Sequence, residues 1–167
     1  RNYNFSTYDS YSNLHKHMRL WRSRKPDWMY FLRAESFYNV ATKEMEYSGV
    51  FSERYHDQSH GQSFFSVLMK QTNKNGLYLL DEPEAALSCQ NQLALLYLIQ
   101  SCVKQNCQFI IATHSPILLS FPNAQILSFD EDKVEEVDYK STSSYQTMKL
   151  FLDRYDYFVE DIKENEI

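Results

Sequence analysis

Leu77-Tyr78-Leu79-Leu80-Asp81-Glu82-Pro83 is the stretch whose reading decides the fold. An apolar run leads straight into two adjacent carboxylates, and a proline then stops it. An uninterrupted apolar run of this kind predicts a strand buried on both faces, as in a parallel sheet. Ligands of such sheets bind outside the carboxyl ends of the strands, and Asp81 and Glu82 stand at that end. Two neighbouring carboxylates there call for positive charge opposite them. A magnesium ion with nucleotide phosphates is the natural candidate.

Working outward, Gln108 to Thr113 (QFIIAT) predicts a second apolar strand, which ends at His114-Ser115-Pro116. Between the two, Ser88 is placed to cap a helix running to about Lys104, with Leu95, Leu98, Ile99 and Cys102 on its apolar face. Upstream, Trp28 to Leu32 predicts a strand leading into Arg33-Ala34-Glu35-Ser36. Leu14, Met18 and Trp21 recur at helical spacing within residues 10–25, until Lys25-Pro26-Asp27 breaks the pattern. Residues 45–58 are polar and irregular. Ser59-His60-Gly61-Gln62 opens an apolar helix through Phe64, Phe65, Leu68 and Met69, and a turn at 71–76 follows. Downstream, Ile126 to Phe129 predicts a shorter strand, with Val134 to Val137 pairing antiparallel at the sheet edge. Residues 143–164 predict two helices with aromatic faces. Strands alternating with helical patterns imply a parallel α/β sheet with right-handed crossovers.

The bulk numbers bound the possibilities. A chain of 167 residues is one domain by default. At 43% hydrophobic and 16% aromatic residues it is not a disordered polymer. No apolar run approaches the roughly 20 residues of a membrane span, and no signal peptide opens the chain. Cys89, Cys102 and Cys107 are odd in number and lack C-x-x-C spacing. That pattern fits reduced thiols in a cytoplasm better than a disulfide or zinc framework. The net charge of −5 argues against a surface built for nucleic acid. It hides an asymmetry: residues 1–27 hold six bases against two acids, and residues 130–167 hold twelve acids against five bases. Solvated surface accounts for both ends, although the basic start is also able to face phosphate or an acidic partner.

Taken together, LYLLDEPEAALS (77–88), IIATHSP (110–116) and QSHGQ (58–62) resemble the second half of an ABC-type ATPase domain. The resemblance is nearer to the SMC and recombination-repair branch than to the transporters. More narrowly, FLRAESF, SHGQSF, LLDEPEAALS and FIIATHSPILLS resemble a family of predicted bacterial AAA/ABC-type ATPases, over residues 28–130. The resemblance implies a P-loop NTPase sheet, of which this chain is the C-terminal portion. It divides the single domain into a Q-loop region (1–58), a signature, Walker B, D-loop and switch-histidine core (59–140), and C-terminal helices (141–167). It implies that Asp81 holds magnesium, that Glu82 is the general base and that His114 contacts the γ-phosphate and the catalytic water. Ser59, His60, Gly61 and Gln62 take the place of the signature motif, which faces the partner subunit's γ-phosphate. His60 departs from the family's usual first glycine. Ser59 and Gln62 are also spaced as a capping box, whose helix start is itself an anion site. Ala86 and Ser88 fall at the D-loop, where Ser88 replaces the usual aspartate and serves equally as a plain helix cap. Glu35 falls near the Q-loop, with Arg33 placed to pair with it.

A P-loop, G-x-x-x-x-G-K-[ST], is not found. The glycines are Gly49, Gly61 and Gly76, and none precedes Lys-Ser or Lys-Thr. The chain starts at Arg1, so the expectation is a segment of a longer product whose P-loop lies upstream, inactive on its own. The resemblance implies ATP and Mg2+ as ligands and an ATP-dependent head-to-tail homodimer in the cytoplasm. Partners such as a nuclease are compatible with it, DNA is unsupported by charge, and no membrane is implied. Two other readings are compatible with these residues. One is a non-catalytic nucleotide-sensing or scaffolding module for a nuclease or defence effector. The other is a metal-dependent nuclease using Asp81, Glu82 and Glu84, which is disfavoured because two-metal sites gather carboxylates from several strand ends.

Overall fold

The computed structural model describes residues 13–34, 75–129 and 133–164. Among these residues three parallel strands form a sheet in the order β1 (Trp28–Arg33), β2 (Gly76–Asp81) and β3 (Gln108–Ala112). The chain is therefore mixed α/β with a parallel sheet. The pairing puts Arg33 beside Asp81 and Asp81 beside Ala112, so the three carboxyl ends finish level.

Helix α1 (Cys89–Val103) is the crossover between β2 and β3. Ser88 caps it: its Oγ accepts from the Asn91 amide at 3.3 Å, satisfying one of the orphan donors of the first turn. The predicted face forms as expected, with Leu95, Leu98, Ile99 and Cys102 all buried. It packs on one side of the sheet, against Leu32, Tyr78 and Leu80, with Tyr30, Phe109 and Ile111 at the margin. Tyr78 is fully buried, and its ring stacks on that of Phe109 at 4.8 Å between centroids. Room for that ring comes from Gly76, where a Cβ would lie 2.5 Å from the Tyr78 ring.

The other side of the sheet differs from the expectation of two buried faces. Met29, Phe31 and Ile110 on that side are exposed, and Leu77 and Leu79 are only half-buried. Apolar composition alone does not distinguish a strand covered twice from one covered once.

Two further expectations are corrected. The stripe at Leu14, Met18 and Trp21 does not make a helix through residue 25. Only a short 3-10 turn, Asn13–Lys16, forms, and Met18 and Trp21 are exposed. Periodicity without a surface to pack against leaves a short helix unstable in water. The shorter strand and its antiparallel mate do pair, as β4 (Leu127–Ser128) and β5 (Glu135–Glu136), but as a separate two-stranded ladder, not at the edge of the main sheet.

After β3, Ser115 caps a four-residue helix, α2 (Pro116–Leu119), accepting from the amides of Ile117 and Leu118. The C-terminal helices are α3 (Ser143–Asp153), capped by Thr142, and α4 (Tyr155–Glu164). Phe151 contacts Tyr155 and Phe158 between them. Lys149 and Asp153 form an ion pair one turn apart along α3. No helix among the described residues is long and apolar enough to cross a membrane.

Candidate active site at the strand ends

The level carboxyl ends of β2 and β3 bring the predicted residues together. The β2–β3 ladder continues one step beyond Asp81, because the Glu82 amide donates to the Ala112 carbonyl at 2.9 Å. The chain then turns sharply through a 3-10 segment, Pro83–Ala86, with Pro83 fully buried. To make that turn Glu82 adopts φ 48° and ψ 50°, the left-handed region. The other described non-glycine residues with positive φ are Asn75, Asn106 and Asn123, of a type that tolerates it. Glutamate has no such tolerance, and strain of this kind concentrates at functional sites. The Glu82 side chain is about half exposed, and its Oε1 lies 4.0 Å from His114 Nε2. The imidazole itself is 88% exposed. A carboxylate and an imidazole thus face each other in the open at the tips of two adjacent parallel strands.

Asp81 has a neighbour the sequence did not announce. Arg33 Nε lies 3.1 Å from Asp81 Oδ2. Strand register sets this pair, because β1 pairs with β2 so as to seat Arg33 directly beside Asp81; the expected pairing of Arg33 with Glu35 lies outside the described residues. Both side chains are well exposed, so the ion pair is screened and exchangeable. Asp81 keeps accessible carboxylate oxygen, which suits a magnesium ion held by one or two carboxylates together with phosphates and water. Among the described residues no group of three acids, histidines or cysteines gathers as a metal cage. That removes support from the reading of Asp81, Glu82 and Glu84 as a carboxylate metal cluster. Glu84 is engaged elsewhere, since its Oε1 accepts from the His114 amide at 2.6 Å.

Behind the site lies a buried polar link. Ser115 Oγ donates to Gln92 Oε1 at 2.6 Å, and Gln92 Nε2 donates to the Leu87 carbonyl at 3.1 Å. Gln92 and Ser115 are both buried. The sequence reading missed Gln92 and gave Glu84 no part in holding His114. The signal for Gln92 was present, since it is a polar residue inside the apolar stripe of α1, one turn from Leu95.

The other expected site residues divide in two. Ser88 sits exposed as the cap of α1, and Ala86 packs at the margin of the core. Glu35 and the signature-like Ser59, His60, Gly61 and Gln62 lie outside the described residues, as does the helix expected after them. Gly76 is at the amino end of β2, opposite the end that carries Asp81, and packs on Tyr78. A groove of about 560 Å³ adjoins His114, lined by Pro116, Met148, Phe151 and Phe158, and neither Asp81 nor Glu82 borders it.

Residues 58–119 match the family model of the AAA ATPase domain. The matched span holds β2, the acidic turn, α1, β3 and His114. The chain is also similar, at 29% identity over 93 residues, to an uncharacterized ABC transporter ATP-binding protein of Haemophilus influenzae. That alignment covers 55% of this chain and 35% of the relative, so the chain spans about a third of the length of the relative it matches. Both matches support an AAA/ABC-type ATPase, in keeping with the parallel α/β sheet.

Proposed function

We propose that the complete protein binds and hydrolyses ATP, and that this chain supplies the hydrolytic half of the site. The observation that carries the proposal is the 4.0 Å approach of Glu82 to His114 at the carboxyl ends of adjacent parallel strands. Glu82 is the general base. Its outward carboxylate accepts the proton of the attacking water, and such a group contributes about 10²–10⁴ in rate. His114, extending from the end of β3, donates a hydrogen bond to the γ-phosphate and keeps the water in line. Asp81 would hold magnesium, which when bound neutralises phosphate charge. Phosphoryl transfer of this type is mainly positioning and charge stabilisation, so the phosphate-cradling amides must come from elsewhere in the complete protein.

In this reading two copies sandwich two nucleotides head to tail, with Ser59 to Gln62 of each copy reaching the phosphate bound by the other. Closure on ATP and opening after hydrolysis drive a partner or a DNA-related process. Glu82→Gln in the full-length protein should then trap an ATP-bound dimer, seen by size-exclusion chromatography with light scattering. A variant that stays monomeric with MgATP and hydrolyses at the normal rate contradicts the proposal.

One observation favours a second reading. Arg33 pairs with Asp81 at 3.1 Å and so competes with a metal ion for that carboxylate, an arrangement compatible with a module that senses nucleotide or scaffolds an effector without turnover. A degenerate phosphate loop in the complete reading frame would favour this module; an intact one favours the enzyme.

A further inference from the structure

We propose that Glu84 is a positioning residue, whose carboxylate locks the turn carrying His114 to the turn carrying Glu82 and so sets the distance between base and imidazole. The inference rests on the ATPase reading of those two residues and deepens it.

The His114 side chain is almost fully exposed, so little packing fixes its ring. Its placement depends on its backbone. The His114 amide is held by Glu84 Oε1 at 2.6 Å, a charge-assisted bond of the short, strong kind. Glu84 belongs to the 3-10 turn that begins at Glu82. In that turn the Ala85 amide donates to the Glu82 carbonyl and the Leu87 amide donates to the Glu84 carbonyl. The carboxylate therefore spans two separate chain segments, one for each functional side chain. The next residue, Ser115, is held independently through buried Gln92 to Leu87, at the end of the same turn. Two side-chain bridges from one turn to the other make the base and the histidine move as a unit.

Glu84 Oε2 is buried and has no hydrogen-bond partner among the described residues. An unsatisfied buried carboxylate oxygen is costly. It marks a side chain held in place for something other than stability.

The test uses the full-length protein. Glu84→Met keeps the length of the side chain and removes the acceptor; Glu84→Gln keeps an acceptor oxygen. The Met variant should lose on the order of 10–100-fold in kcat, as small misplacements of reacting groups do, with KM for ATP changed by less than about threefold. The Gln variant should retain most activity. In a His114→Ala background, Glu84→Met should add little further loss, because positioning an absent imidazole has no value. Should the Met variant fail to fold, Glu84→Asp carries the same test, its carboxylate drawn one methylene back from the amide. An unchanged kcat in the Met or Asp variant, or losses that multiply fully with His114→Ala, would overturn the proposal. Failure of the underlying ATPase reading is recognised separately: wild type and Glu82→Gln would then hydrolyse ATP alike.

Discussion

At the scale of the residue, Glu82 departs most clearly from local backbone preference. A left-handed backbone at a non-glycine residue costs about 1–2 kcal/mol, and here it aims a carboxylate at His114. Glu82→Gly should therefore leave thermal stability equal to or above that of wild type while abolishing hydrolysis. Thermal melts paired with ATPase rates check this, and a Gly variant clearly less stable than wild type would show that the left-handed turn carries no net strain at Glu82. Arg33 gives a contrasting case. Its ion pair with Asp81 is exposed, so Arg33→Ala should cost less than about 1 kcal/mol in chemical denaturation.

At the scale of the element, β2 and α1 carry the fold. Gly76 makes room for the Tyr78 ring, and a methyl group at that position meets ring atoms at 2.5 Å. Gly76→Ala should destabilise by about 1–3 kcal/mol, the usual cost of overpacking, with the Tyr78–Phe109 stack disturbed in near-ultraviolet circular dichroism. Burial raises the pKa of the Cys102 thiol on α1, and neighbouring Cys107 adds to the effect. The folded state thus holds its proton to higher pH than the unfolded state. Stability is unaffected below the unfolded thiol's pKa and falls as pH rises above it, because the unfolded chain then loses the proton first. Urea midpoints across pH 8–10 should decline more in wild type than in Cys102→Ala. In thiol labelling at neutral pH, exposed Cys89 should react well before Cys102.

How much was legible follows from the kind of signal each element gives. The boundaries of β2, α1 and β3 could be read because an apolar run, a capping serine and a helical stripe each have a direct physical cause. The convergence of Glu82 and His114 was legible because parallel strands joined by one helix end at the same edge. Partners across the sheet were not: the Arg33–Asp81 pair depends on strand register, which sequence spacing does not reveal. Glu84 was read only as a further carboxylate, since nothing local shows that it bonds an amide thirty residues away. The stripe at 14–21 misled because a period reports what a helix would bury, not whether a surface exists to bury it against.

At the scale of the whole molecule, one side of the sheet is packed by α1 and the other presents Met29, Phe31 and Ile110. Glu82 and His114 stand at the carboxyl ends of the sheet's strands, and the residues proposed to meet a second subunit's nucleotide lie upstream of β2 in the sequence. Steady-state, magnesium-dependent ATP hydrolysis by the full-length protein, measured beside Glu82→Gln and His114→Ala, tests the central claim most directly. The account predicts turnover in wild type and a loss of about 10²–10⁴ in the Glu82 variant, with His114→Ala also impaired and both variants as stably folded as the parent. Equal turnover in all three proteins would contradict it.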